Sequence, residues 1–138
     1  MNSDKNIVLL GMMGAGKSTI GYLLSNKINS DFYDIDKIIE EEEGLKIRDI
    51  FKQKGENYFR KIEEKITLKK LKSNSAVIAL GGGAFTNKVL RKEVLKNNIS
   101  FWLNCNINVL IGRIRYSKKR PLAFNASDNQ LIDLIKKR

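Results

Sequence analysis

The sequence predicts an α/β fold with a central parallel sheet and helices on both of its faces. Three observations point there. Short apolar runs at residues 7–10 and 76–80 stop at glycines, as buried parallel strands do. Segments with helical spacing alternate with such runs along the chain. A glycine-rich stretch at 11–16 sits between the first run and the first helical segment.

Each element has its own signal. Ile7, Val8, Leu9 and Leu10 form the first strand, ended by Gly11. A helix is expected over 17–28, where Ile20, Leu23, Leu24 and Ile28 recur at helical spacing. Residues 32–36 read as a second strand ending in two acids, Asp34 and Asp36. Two short helices, 37–43 and 47–54, flank Gly44. A longer helix over about 56–71 carries Phe59, Ile62, Ile66 and Leu71 near one face. Residues 76–80 form a third strand, stopped by Gly81, Gly82 and Gly83. A helix near 87–97, a strand at 99–104, a helix over about 106–116, a basic segment and a last helix from Asp128 complete the order. No repeat, low-complexity tract or linker divides the chain, so one domain over 1–138 is expected. Ligands of such sheets bind beyond the carboxyl ends of the strands. Both glycine clusters and the acidic pair fall there.

Composition narrows the chemistry. The 138 residues include no histidine, which excludes histidine triads, bases and metal sites. The single cysteine, Cys105, excludes an internal disulfide or a thiolate zinc cluster. No apolar run reaches the roughly 18 residues of a membrane span, and the N-terminus does not resemble a signal peptide. A cytoplasmic protein without membrane attachment is expected. The net charge of +11 is uneven, with −2 over residues 1–64 and +13 over 65–138. A basic half suits an anionic partner, yet lysine supplies 19 of the 26 cations, a pattern that also fits composition bias.

Residues 11–18, GMMGAGKS, match G-x-x-x-x-G-K-[ST] between a predicted strand and a predicted helix. The glycines let the backbone curl so that its N–H groups cradle phosphates, helped by the helix N-terminus. Lys17 is expected at the β/γ phosphates and the Ser18 hydroxyl at magnesium. Gly14, Ala15, Gly16 and Thr19 complete the nucleotide loop. No N-K-x-D segment is present to read guanine. The nearest acids at a strand end, Asp34 and Asp36, favour a small kinase whose carboxylate orients an acceptor hydroxyl.

Beyond the loop, the chain resembles the shikimate kinase family. The resemblance rests on GMMGAGKST at 11–19, the D-x-D of Asp34 and Asp36, and the stretch from Gly44 to Glu64. Gly81, Gly82 and Gly83 and the R-P-L at Arg120, Pro121 and Leu122 extend it. It implies a P-loop three-layer α/β/α fold and transfer of the γ-phosphoryl of ATP to the 3-hydroxyl of shikimate, with Mg2+. It implies that Asp36 receives the acceptor hydroxyl and that Asp34 joins Ser18 in holding the metal. Arg60, Arg138 and the Gly81, Gly82 and Gly83 turn would bind shikimate, with Phe51 and Phe59 as walls. Arg120 would act from a lid over about 113–127 and Arg113 would lie against adenine. The substrate-binding helical segment would span about 36–64. A monomer acting on shikimate and ATP, with no nucleic-acid partner, is expected.

Duller readings accompany these. Asp34 and Asp36 also suit helix capping, Arg60 also suits pairing with Glu63 or Glu64, and the two phenylalanines also suit plain core. The family pattern continues past the position of Arg138 with a fifth parallel strand and a terminal helix. Four strands are therefore expected here, with the 99–104 strand at a sheet edge and with weak nucleotide binding and slow turnover. The alternatives are a gluconate-kinase-like enzyme, a non-catalytic nucleotide-binding remnant, or a nucleic-acid binder using the basic half.

Overall fold

The computed structural model describes residues 4–106 together with 108, 109, 129, 130 and 133. The expected helix over 106–116, the lid, the last helix and the arginines at 113, 120 and 138 lie outside the described residues, apart from the isolated positions just named.

Ten elements follow in order: β1 (Ile7–Leu10), α1 (Lys17–Ile28), β2 (Phe32–Asp34), α2 (Ile35–Glu43), α3 (Ile47–Lys54), α4 (Glu56–Leu71), β3 (Val77–Ala79), a 3-10 turn (Ala84–Thr86), α5 (Lys88–Asn97) and β4 (Ile99–Trp102). The four strands pair in parallel in the order β2-β3-β1-β4, with Leu9 opposite Ala79 on one side and Phe101 on the other. This is the predicted fold class. The switch from β1 to its neighbours on either side opens the crevice where such sheets bind ligands.

Side chains alternate across β1, and both sides are covered. Val8 and Leu10 join Ile78, Leu80, Leu90, Val94, Ile66 and Phe59 in the main core, which Ile35, Ile39 and Ile50 of the short helices enter. Ile7, Leu9 and Val77 face the other way, against Leu24 and Phe32. Asn6 ties the sheet's entrance together. Fully enclosed at 2% exposure, its Nδ2 donates to Leu71 O and Asn98 Oδ1, and its Oδ1 accepts from Ala76 N, each at 3.0 Å.

Two expectations change. The second strand ends at Asp34, not at residue 36, because the Asp34 carboxylate accepts from Lys37 N and caps α2. Asp36 thereby moves from a strand tip into the first helical turn. Of the apolar stripe of α1 only Leu24 packs on the sheet, while Ile20, Leu23 and Ile28 are 42%, 61% and 42% exposed. Gly21 and Ser25 are the buried positions instead. A side chain at Gly21 would overlap the Phe32 ring, so α1 sits close to the sheet through its small residues. β4 lies at the sheet edge among the described residues, with Trp102 69% exposed.

Candidate functional site

The loop between β1 and α1 turns through three glycines at positive φ, Gly11, Gly14 and Gly16, where a side chain would be strained. Gly16 opens α1, so the first N–H groups of a twelve-residue helix point into the loop. Lys17 Nζ donates to Gly11 O and Met12 O at 2.5 and 3.0 Å, which holds the ammonium at the loop mouth. Ser18, next along, donates its hydroxyl to Asp34 Oδ2. A hard hydroxyl and a hard carboxylate thus meet beside the phosphate loop. That pair suits Mg2+, which takes one or two protein oxygens and fills its octahedron with water and phosphate. No cluster of three or more acidic, histidine or cysteine ligands exists among the described residues, in keeping with such a sparse site.

One cavity of about 790 Å³ collects the site. Gly14, Ala15, Gly16, Lys17, Ser18 and Thr19 line it on the loop side, and Asp34 and Asp36 line it at its middle. Phe51, Phe59, Arg60, Gly81, Gly82 and Gly83 also line it. Every expected site residue within the described segment therefore reaches a single space. Arg113, Arg120 and Arg138 lie outside that segment.

The acceptor side is electrostatically arranged. Arg60 donates from Nη1 to Glu63 Oε1 at 2.8 Å and from Nη2 to Glu56 Oε1 at 3.5 Å. The pairing on its own helix is real, and it fixes the guanidinium within the cavity wall. The guanidinium also lies 5.2 Å from the Phe59 ring centre. Phe59 packs on Phe51 at 4.8 Å with tilted rings, and it belongs to the main core while lining the cavity. Core and wall are the same residue here.

Asp36 is the most perturbed group. Burial pushes its carboxyl up to about 7, and the negative charges of Glu63 and Asp34 add to that, while Lys17 and Arg60 pull it back. Its Oδ1 is shut off from solvent and has no hydrogen-bond partner among the described residues. A carboxylate with one oxygen buried, at the wall of a cavity beside a phosphate loop, has the chemistry to accept a hydrogen bond from a hydroxyl.

Residue reading alone missed Glu40 and Lys37, which also line the cavity. The available signal was spacing, since Glu40 stands one helical turn after Asp36 on α2. Glu63 was recognised only as a partner of Arg60, yet it is 1% exposed and also acts on Asp36.

A nucleotide loop feeding a switch-point crevice, with a buried carboxylate opposite, defines a P-loop phosphotransferase. Comparison with known proteins narrows the class. The shikimate kinase family profile matches residues 13–138. A shikimate kinase of Sulfurihydrogenibium sp. is 45% identical over 118 residues, 86% of this chain and 71% of that protein. One from Persephonella marina is 38% identical over 134 residues, 97% of this chain and 81% of that protein. The structure of a shikimate kinase from Acinetobacter baumannii in complex with shikimate superposes with a TM-score of 0.90 at 34% identity. It covers 96% of this chain and 74% of its own. The chain belongs to the shikimate kinase family, whose members are ATP-dependent kinases. A gluconokinase from Sinorhizobium meliloti, at 17% identity and a TM-score of 0.57, shares the fold alone.

Proposed function

We propose that this chain transfers the γ-phosphoryl group of ATP to the 3-hydroxyl of shikimate. The single observation that carries the reading is the shared cavity. Lys17 and Ser18 on the loop side, Asp36 on α2 and Arg60 on α4 face one space, and Gly82 lines it beside Met13 of the loop. A small hydroxylated carboxylate fits that order of groups, with its carboxylate at the arginine and its hydroxyls toward Asp36.

The roles follow from position. The loop N–H groups and the Lys17 ammonium hold the β and γ phosphates. Arg60, fixed by Glu63, binds the acceptor carboxylate, and the backbone of the glycine turn approaches its hydroxyls. Phe51 and Phe59 exclude water along one wall. The acceptor oxygen attacks the γ-phosphorus, the bond to the β-phosphate oxygen breaks, and the hydroxyl proton passes to Asp36. A carboxyl poised at about 7 is ionised in about half of the molecules at neutral pH, and that form can accept the proton. Ser18 and Asp34 would hold Mg2+, which supplies charge neutralisation of the phosphates when bound. Little covalent work falls to the protein, so positioning dominates.

From the family resemblance, Arg120 would close over the phosphates, Arg113 would lie against adenine, and Arg138 would join Arg60 at the carboxylate. We place the reaction in the cytoplasm and in a monomer that acts on small anions and not on nucleic acid. No helix of the described residues is long and apolar enough to cross a membrane.

An acceptor screen tests the reading. With MgATP, shikimate is expected to stimulate ADP release and gluconate to leave it at the background level. Equal stimulation by both acids, or by neither, would reject the assignment.

A further inference from the structure

The glycines that follow β3 are not interchangeable. Neither Gly81 nor Gly82 sits at positive φ, so the backbone at both would accept an alanine. Space is what excludes one. A Cβ on Gly81 would lie 2.8 Å from Asp36 Oδ1 and 2.8 Å from Glu63 Oε2. Those atoms end side chains that arrive from α2 and α4. A Cβ on Gly82 would instead lie 2.9 Å from Met13 N and 3.5 Å from Met13 Cα. Its neighbour is the backbone of the phosphate loop. One step along the chain passes from the acceptor side of the cavity to the nucleotide side.

We infer that Gly81 and Gly82 are positioning residues with separate duties. Gly81 lets Asp36 and Glu63 converge at the acceptor pocket, and Gly82 seats the phosphate loop at Met13. The first duty reaches the substrate through two links. Glu63 uses its other oxygen, Oε1, to fix Arg60, so a displaced Glu63 disturbs the carboxylate-binding guanidinium together with the base. The second duty concerns the loop N–H groups, whose spacing sets how well they cradle phosphate. The acceptor half of the inference rests on the proposed phosphorylation of shikimate. The nucleotide half requires only that the loop binds ADP.

The two contacts also differ in how they relax. The atoms facing Gly81 are the ends of flexible side chains, whereas the atom facing Gly82 is backbone nitrogen. Shortening the Met13 side chain therefore cannot relieve the second crowding.

The test compares wild type, Gly81→Ala, Gly82→Ala and the double variant Gly82→Ala/Met13→Ala, with thermal unfolding as the check on folding. ADP is titrated calorimetrically and shikimate kinetics are measured at saturating MgATP. Gly81→Ala is expected to lower kcat by about a hundredfold and to raise the KM for shikimate, because small misplacements of reacting groups carry penalties of that size. Its ADP affinity should stay within about twofold of wild type. Gly82→Ala is expected to weaken ADP about tenfold. Met13→Ala should restore no ADP affinity. The same pattern of losses in both glycine variants, or recovery of ADP binding through Met13→Ala, would overturn the inference. If Gly82→Ala does not fold, ADP titration of Gly81→Ala still decides, since a tenfold loss there contradicts the separation. If wild type phosphorylates no shikimate, the functional reading fails on its own. The ADP arm then still judges Gly82, and wild-type affinity in Gly82→Ala rejects its role.

Discussion

Asp36 concentrates the tension between stability and chemistry. Its carboxyl moves from 3.8 to about 7 on folding, so the native state holds that proton more tightly than the unfolded chain. The group's contribution is complete below pH 3.8 and is lost as pH rises through about 7. At neutral pH and above, the ionised carboxylate weakens the fold that positions it. Asp36→Asn is therefore expected to lower kcat at least about a hundredfold through loss of the proton acceptor. The same variant, free of metal and nucleotide, should melt a few degrees higher than wild type at about pH 8, and the gap should close near pH 4. Calorimetric scans at the two pH values check the crossover. Arg60 carries the opposite kind of specificity. Arg60→Lys keeps the charge but loses the planar fork that spans Glu63 and a carboxylate, so the KM for shikimate should rise about tenfold while the KM for MgATP holds.

At the scale of elements, how much the sequence revealed depended on what each face needed to bury. The strands of β1 and β3 were legible because both faces are covered, so their residues are uniformly apolar. Helix α1 was placed correctly, but its inward face was not. A close approach to the sheet requires Gly21 and Ser25, and Ile20, Leu23 and Ile28 turn outward. Apolar periodicity reads only large side chains and passes over a small-residue contact. Helix α4 shows the converse, since Glu63 and Thr67 are buried between Phe59 and Leu71. The boundary at Asp34 shifted because a capping carboxylate ended the strand earlier than its apolar content suggested. Asn6 was unreadable from pattern altogether. Its three hydrogen bonds join the start of β1 to the ends of α4 and α5 and to the residue before β3. Asn6→Ala would leave Leu71 O and Ala76 N buried without that partner. A loss of about 2–4 kcal/mol in denaturant unfolding is expected, with kcat unchanged in the protein that remains folded.

Across the whole molecule, the candidate site was more legible than the packing that supports it. Phosphate loops need particular residue types at fixed spacing, so Lys17, Ser18 and their glycines stand out in the bare sequence. The convergence of Asp36, Glu63 and Arg60 depends on how α2 and α4 meet β3, which no local pattern encodes. The charge is also clearer in this light. Of the 26 cations, Lys17 and Arg60 line the cavity with a defined geometry, and Lys37 joins them at its wall. The most direct measurement is phosphorus NMR of the chain incubated with MgATP and shikimate, with Lys17→Ala alongside. The account predicts ADP and one new phosphomonoester of shikimate in equal amounts from wild type, and neither from Lys17→Ala. ADP accompanied only by inorganic phosphate, or no shikimate-dependent product from wild type, would contradict it.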